Sequence, residues 1–292
     1  MNREVLSSAQ LIAGGPGVKY ETLTVTPLSP HVGAEIGGID LRRTLTPAQV
    51  TDLRSALLQH GVIFFRDQPI DFDAHRALAL CFGDLHVHVG GDGTASQKVP
   101  GHPEIRRQHF DASSRRVSGE VWHTDQSCAA VPPMGSILHQ QVVPPQGGDT
   151  LFVSTYAAYD ALSPRMRDFL AGLTATHDGA KIFDKSDTVR YPVACHPVIA
   201  RHPETGRRLI YVNRGQTTRI NELPPNESEA VLAFLFDLIE EPDRQLRFQW
   251  REHSIAFWDN RCTQHKAIWD YWPNVRSGFR IQIRGTQPPA PA

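Results

Sequence analysis

Neither sign of charge dominates this chain: 30 Lys and Arg stand against 31 Asp and Glu over 292 residues. Such a balance supplies no global basic field to recruit nucleic acid or an anionic membrane, so a small molecule is the expected partner. No stretch approaches the roughly eighteen apolar residues of a membrane span. The first residues, Met1 to Val18, lack a charged start followed by an apolar core. A secretory signal is therefore not expected, and the location read from this is cytoplasmic. Cysteine is sparse. Cys81, Cys128, Cys195 and Cys262 are scattered without a C-x-x-C pair, which argues against a zinc finger or a thioredoxin-type motif and fits reduced thiols. Cys128 and Cys262 are expected to be small buried packing residues. Internal repeats are absent, and low complexity is confined to a Pro-rich tail after Gln287.

What is present is a succession of short apolar runs broken by Gly and Pro. Leu23-Thr24-Val25 and Val32 to Ile36 predict a strand pair, and Val62-Ile63-Phe64-Phe65 a buried strand. Further strands are expected at Ser136–Val142, Thr150–Val153, Leu173–His177, Cys195–Arg201, Arg208–Asn213, Leu246–Trp250, Ser254–Trp258 and Phe279–Arg284. Thr46-Pro47-Ala48-Gln49 combines an N-cap, a Pro at the first helical position and a Gln placed to bond back, so a helix starts there, and Gly61 stops it. Other helices are expected at about Asp71–Phe82, Thr155–Ala161, Ser163–Gly172 and Asn226–Glu240, the last capped by Asn226. Many short strands with peripheral helices predict a mainly β chain folded as a double-sheet jelly roll. The expected organisation is a mobile arm over 1–20, one domain over 21–287 and a tail over 288–292. Within the domain, 87–119 loses all periodicity and is expected to be a lid-like segment.

His123 and Asp125 stand two residues apart in Val121-Trp122-His123-Thr124-Asp125. On an extended segment they project to one face and can grip one ion. A second His downstream would complete the two imidazoles and one carboxylate that hold non-haem Fe(II) with three positions open, and His265 is the candidate. His109-Phe110-Asp111 has the same spacing but runs into Ala112-Ser113-Ser114, which predicts a polar loop and no ligand role.

Trp122-His123-Thr124-Asp125, Pro132-Pro133 and Gly147-Gly148-Asp149-Thr150-Leu151 resemble the metal-binding segment of the taurine dioxygenase family of Fe(II)/2-oxoglutarate-dependent oxygenases. His196-Pro197-Val198, His202 to Gly206, Tyr211-Val212-Asn213, Thr217 to Ile220 and Trp258-Asp259-Asn260-Arg261 with Gln264-His265 follow in the same order, and the likeness runs from about Thr24 to about Gly285. The resemblance implies a double-stranded β-helix with Fe(II) between its sheets, held by His123, Asp125 and His265. It implies the cosubstrates 2-oxoglutarate and O₂, products succinate and CO₂, and hydroxylation of a C–H bond in a small anionic organic substrate. By the same match Arg276, aided by Thr150, partners the far carboxylate of 2-oxoglutarate, and Arg280 faces the anionic end of the substrate. Arg284 is expected at the surface.

His88 matches the histidine that the taurine enzymes use on the sulfonate. Gly91, Gly119 and Gln216 stand where those enzymes carry a Tyr, an Asn and an aromatic residue, which predicts a wider and differently polar substrate pocket. Asp259 and Asn260 are expected to present His265 rather than take part in chemistry. The rival readings are a zinc-dependent hydrolase on the same three ligands, although no His-Glu-x-x-His signature is present, and a non-catalytic cupin-like binding protein. Homo-oligomer formation is left open.

Overall fold

The computed structural model describes residues 19–86, 99–182 and 191–292. In chain order its strands are β1 Thr24–Pro27, β2 Ala34–Gly37, β3 Val62–Phe65, β4 Leu85–His86, β5 Arg106–Phe110, β6 Gly135–Val142, β7 Thr150–Ser154, β8 Thr174–Asp178 and β9 Val193–Pro197. They continue as β10 Ile199–Arg201, β11 Arg208–Ile210, β12 Thr217–Ile220, β13 Gln245–Phe248, β14 Ile255–Asp259, β15 Thr263–Ala267, β16 Arg276–Ile283 and β17 Ala290–Pro291. The α-helices are α1 Pro47–His60, α2 Phe72–Leu80, α3 Thr155–Asp160, α4 Pro164–Leu170 and α5 Pro225–Ile239. No helix among the described residues is long and apolar enough to cross a membrane.

An eight-stranded sheet runs β1-β2-β3-β14-β6-β16-β4, with β5 also on β16. Opposite it stands a three-stranded sheet, β13-β7-β15. Together they make the expected jelly roll. Strand alternation explains the packing. Ile63, Phe65, Ile137, Ile255, Phe257 and Ile281 form one cluster with Leu53, Leu57 and Leu78 of α1 and α2. Val62, Phe64, Leu138, Ala256 and Trp258 from the same strands pack instead with Phe152 and Phe248 of the small sheet. Phe64 stacks on Phe248 at 3.9 Å between centroids and meets Phe152 edge-on at 5.5 Å. The run Val62 to Phe65 is apolar throughout because both faces of β3 are covered.

Local signals account for most boundaries. The Thr46 side chain accepts from Gln49 N–H while the Gln49 side chain accepts from Thr46 N–H, which is the expected capping box, and Gly61 takes φ 70° to end α1. Asp71 caps α2 by accepting from Ala74 N–H at 2.8 Å. Asn226 does not cap α5: the N-cap is Pro224, with no side-chain cap bond, because Pro224 and Pro225 fix the entry two residues earlier.

Other expectations are corrected. Within the segment 87–119, β5 joins the main sheet along β16, from Arg276 opposite Phe110 to Arg280 opposite Arg106. His109 therefore lies on a strand and not in a polar loop. The remainder of the expected lid, 87–98, lies outside the described residues, as does 1–18 of the expected arm. Tyr20, at that arm's end, is tied down by donating from its hydroxyl to Gln59 Oε1 at 2.9 Å. The tail returns as β17, with Ala200 opposite Pro291. The strands β4, β12 and β15 add to the expected set.

The core also holds buried histidines with a cost that depends on pH. His75 lies 6.2 Å from His139 between ring centroids, and His139 lies 5.7 Å from His253. Burial, then His139, pushes His75 down to about 3; burial, then His253, pushes His139 down to about 4. Unfolded imidazoles near pH 6.5 take up protons that these folded ones refuse. Stability is therefore full above about pH 6.5 and falls as the pH drops toward 4 and then 3, by about 1.4 kcal/mol per pH unit for each histidine. Urea midpoints measured from pH 7.5 to 4.5 should fall with that slope, and His139→Asn should flatten it. A midpoint independent of pH over that interval contradicts the assignment.

Candidate metal centre and its cavity

His123 and His265 are joined through their backbones. Reciprocal hydrogen bonds, His123 N–H to His265 C=O at 3.1 Å and His265 N–H to His123 C=O at 2.9 Å, close an antiparallel bridge. The His265 side of that bridge is β15, itself paired with β7 so that His265 lies opposite Phe152. The imidazole centroids are 4.2 Å apart. Asp125, two residues beyond His123, comes back to the same side. One ligand atom from each of His123, Asp125 and His265, all three buried, lies within 4.8 Å of the others.

Each donor is prepared for a cation. His123 Nδ1 faces the Val121 carbonyl at 2.8 Å. A carbonyl only accepts, so Nδ1 carries the proton and Nε2, 3.7 Å from Asp125 Oδ1, keeps its lone pair. His265 lies 4.7 Å from the Trp258 ring between centroids, and its Nδ1 is buried with no hydrogen-bond partner among the described residues. Asp125 Oδ2 accepts from Ser136 Oγ at 2.6 Å, and Oδ1 accepts from Arg280 at 2.9 Å. Ser136 Oγ is held in turn by Asn260 Nδ2 at 3.0 Å. Thr124 Oγ1 donates to the Asn260 carbonyl at 2.6 Å. Asn260 thus braces the Asp125 side of the site, whereas the expectation placed it behind His265.

The electrostatics favour the ligand forms. Burial alone would raise the Asp125 carboxyl, but Arg280, His265, His123 and the Ser136 hydroxyl outweigh it and hold it below the usual carboxylate range. Burial, with His123 beside it, holds His265 well below an ordinary imidazole. Burial likewise lowers His123, against the pull of Asp125. Two neutral imidazoles and an ionised carboxylate are the state a divalent metal requires. A second buried group, His202, Asp259 and Cys262, has comparable spacing but a different chemistry. Arg261 occupies both Asp259 oxygens, at 2.8 and 2.6 Å. His202 uses Nε2 on Asp259 and Nδ1 to accept from the Glu204 and Thr205 N–H groups. Two of the three donors are thus already engaged, and burial holds the Cys262 thiol protonated.

One cavity is lined by His123, His265, Thr150, Arg276, Arg280 and Gly119, with Phe152, Leu138 and Trp258 as its apolar wall. Arg276 is buried, and its Nε donates to the Gly148 carbonyl at 3.0 Å. It has no ion pair among the described residues. A buried cation without a counter-ion is costly, and its remaining terminal nitrogens form the fork that suits a carboxylate. Thr150 Oγ1 accepts from Trp250 Nε1 at 2.9 Å, which leaves its own hydrogen to donate. A larger cleft is lined by residues of the segment 284–289 between β16 and β17 together with others such as Phe82 and Leu209, but none of the three candidate ligands faces it.

The expected site residues do not all converge. Gly119 lies against His123 at φ 85°, where a Cβ would come 3.0 Å from His123 Cε1. Gln216 does not line the cavity: it is buried, and its Oε1 accepts from Ser127 Oγ at 3.0 Å and Cys128 N–H at 2.8 Å, so it holds a loop together. His88 lies outside the described residues. His109 makes a 3.4 Å contact to Asp111 and belongs to neither buried cluster. Ser136 escapes the sequence reading, which takes Asn260 as presenting His265; Trp250, which carries no motif of its own, also escapes it. Only the register of β6 and the turn after β14 brings the first two to Asp125.

A double-sheet jelly roll holding two histidines and a carboxylate beside an arginine-lined cavity defines a non-haem Fe(II), 2-oxo-acid-dependent oxygenase. The sequence pattern of the family described as taurine catabolism dioxygenase TauD, TfdA family matches residues 24–282, and the chain belongs to that family. It is similar to an alpha-ketoglutarate-dependent sulfonate dioxygenase of Saccharomyces cerevisiae, 35% identical, over 91% of this chain and 68% of the relative. It is similar also to an alpha-ketoglutarate-dependent sulfate ester dioxygenase of Pseudomonas putida, 30% identical, over 91% of each chain. The crystal structure of AAD-2 in complex with Mn(II) and N-oxalylglycine superposes with a TM-score of 0.84 at 25% identity, over 92% of this chain and 100% of that one. The protein is an Fe(II)- and 2-oxoglutarate-dependent dioxygenase, and the family assignment supports this over the zinc hydrolase and the cupin-like binding protein.

Ser136 generates a test. Its hydrogen bond to the Asp125 carboxylate is charge-assisted, and loss of such an outer partner typically weakens metal binding by about 10- to 100-fold. Ser136→Ala should weaken Mn(II) binding to that extent in anaerobic titration, with Ser136→Thr closer to wild type. Equal affinity in Ser136→Ala contradicts the bracing role.

Proposed function

We propose that His123, Asp125 and His265 hold Fe(II), that Arg276 and Thr150 bind the far carboxylate of 2-oxoglutarate, and that Arg280 meets the anionic end of the substrate. The observation that carries this reading is the convergence on one cavity of two candidate metal ligands, a buried arginine with no ion pair among the described residues, a hydroxyl donor and a second arginine. Fe(II) with 2-oxoglutarate supplies, when bound, the activation of O₂ and the conversion to succinate and CO₂ that make hydroxylation of a C–H bond accessible.

The protein's own groups do the rest. Arg276 is oriented by the Gly148 carbonyl and stacked over Trp250 at 5.5 Å, so its fork is fixed before a carboxylate arrives. Thr150 offers a hydroxyl whose direction Trp250 has already set. Phe152, Leu138 and Trp258 line the cavity with apolar surface, which excludes water and strengthens each charged contact inside. Gly119 leaves the flank of His123 bare, where any side chain would crowd the ring. The substrate class is a small organic anion, a sulfonate or sulfate ester, in keeping with the names of the two relatives. The catalytic unit proposed is a single domain over 21–287. A cytoplasmic setting accords with Cys81, Cys128, Cys195 and Cys262 all being free thiols.

Adding 2-oxoglutarate to the Fe(II) protein without oxygen should give a visible charge-transfer band. His123→Ala and Asp125→Ala should abolish Fe(II) binding, while His109→Ala keeps it. Truncating a buried, charged partner costs about 2 to 5 kcal/mol, and each 1.4 kcal/mol is about tenfold in affinity. Arg276→Gln should therefore weaken 2-oxoglutarate by well over tenfold in a titration of the band, and Arg280→Gln should leave it nearly unchanged. The reverse order of effects would show the two arginines to be misassigned.

A further inference from the structure

Strand register sets a row of polar side chains behind Asp125. Gln282 of β16 lies directly opposite Ser136 of β6 on one side and directly opposite His86 of β4 on the other. Directly opposed side chains share a face, and on β16 that face is the one that carries Arg280. Gln126, the residue after Asp125, joins the row. Its backbone takes φ 52°, which a residue with a Cβ adopts at a cost. Its carboxamide is anchored at both ends: Nε2 donates to Gln282 Oε1 at 2.6 Å, and Oε1 faces His86 Nε2 at 3.2 Å. Gln126, Gln282 and Ser136 are all buried.

Donor counting gives the row a direction. Ser136 Oγ has one hydrogen and two lone pairs. Asn260 Nδ2 at 3.0 Å and Gln282 Nε2 at 3.3 Å can only donate, so together they take both lone pairs. The hydrogen is left for Asp125 Oδ2, at 2.6 Å. Gln282 turns Nε2 to the serine because its Oε1 is taken by Gln126, and Gln126 turns Nε2 to Gln282 because its own Oε1 is taken by His86. An amide oxygen only accepts, so His86 Nε2 carries a hydrogen and the polarity runs from there to Asp125. With one amide reversed, Gln282 would show Ser136 an oxygen, and the serine could donate there instead of to Asp125.

We propose that Gln282 and Gln126 are positioning residues for the metal: they fix the Ser136 hydroxyl as a donor, which holds Asp125 Oδ2 in the protein and presents Oδ1 to the ion. The proposal rests on the reading that Asp125 is a metal ligand. Oδ1 is the oxygen that faces His123 Nε2, at 3.7 Å. A carboxylate that binds through one oxygen leaves three positions open beside two imidazoles, which 2-oxoglutarate and O₂ together need. Binding through both oxygens would take one of the three.

The test is a double-mutant cycle on full-length protein. Gln282→Met and Gln126→Met keep the length of the side chain and remove its amide. Each is made in wild type and in Ser136→Ala, and Mn(II) affinity is measured without oxygen from the EPR signal of the free ion. Gln282→Met should weaken Mn(II) by about three- to tenfold, less than the roughly 10- to 100-fold typical of losing a hydrogen-bond partner of the ligand itself. Gln126→Met, one link further out, should weaken it by no more than that. In the Ser136→Ala background neither should weaken it further, because the hydroxyl through which they act is gone. A general loss of packing would carry the same factor into both backgrounds. Wild-type affinity in Gln282→Met, or equal losses with and without Ser136, would overturn the proposal. If Gln282→Met melts well below wild type, Gln126→Met decides by the same comparison. An Asp125→Ala variant that keeps wild-type Mn(II) affinity would instead overturn the reading beneath it.

Discussion

The reciprocal backbone bridge between His123 and His265 is the constraint on which the site depends. Two hydrogen bonds bring together segments that lie far apart in the chain, and the side chains follow because strand geometry leaves them one direction each. The bridge in turn requires β15 to be in register with β7, which puts His265 opposite Phe152 and Ala267 opposite Thr150. One ladder therefore sets both the position of a metal ligand and that of the hydroxyl proposed for 2-oxoglutarate. A slip of one residue in that ladder would turn His265 to the other face of the strand.

Buried charge is the second organising feature, and it is balanced unequally. Asp125 has Arg280, the Ser136 hydroxyl and two imidazoles around it, so its ionised form is supported from several sides. Arg276 has a carbonyl, an aromatic face and no ion pair among the described residues. Burial lowers its guanidinium against the distant pulls of Tyr271 and Asp149. A fold does not normally bury an arginine on such terms, and a bound dicarboxylate would supply the missing partner. The contrast with Asp259 makes the point: there Arg261 and His202 complete the network internally, and that cluster is structural.

Much of this is legible in the sequence alone. The capping box at Thr46, the doubly covered strand at Val62 to Phe65 and the His123/Asp125 spacing each express a local rule, and local rules survive folding. What escaped is non-local. β5, with the sequence Arg-Arg-Gln-His-Phe, has no apolar alternation, and it is a strand because the edge of β16 offers it unpaired backbone groups. β15 carries Thr-Gln-His-Lys-Ala for the same reason, between the bridge to His123 and the ladder to β7. Ser136 sits inside a strand whose pattern predicts only packing, and Gln216 falls in a motif whose match to the taurine enzymes implied a pocket wall. Its side chain instead meets Ser127 and Cys128.

β16 shows how such non-local pairing becomes function. Arg276 and Arg280 are four residues apart, and a strand advances about 3.3 Å per residue, so roughly 13 Å of backbone separates the two proposed anion sites. Both point into one cavity only if the strand keeps its alternation between them. The ladder to β6 is irregular in that interval, where Ser277 pairs with Val142 and Gly278 with Gln140, so the additional residue lies in β6. The ladder to β5 is regular through the same residues. Gly278 makes the accommodation: a Cβ there would fall 2.6 Å from the His139 carbonyl oxygen and 3.1 Å from the Gln140 Cα, both of them backbone. The bulge thus spends its irregularity on the side of β6, the glycine lets that backbone approach, and the two arginines remain in phase on the face that lines the cavity.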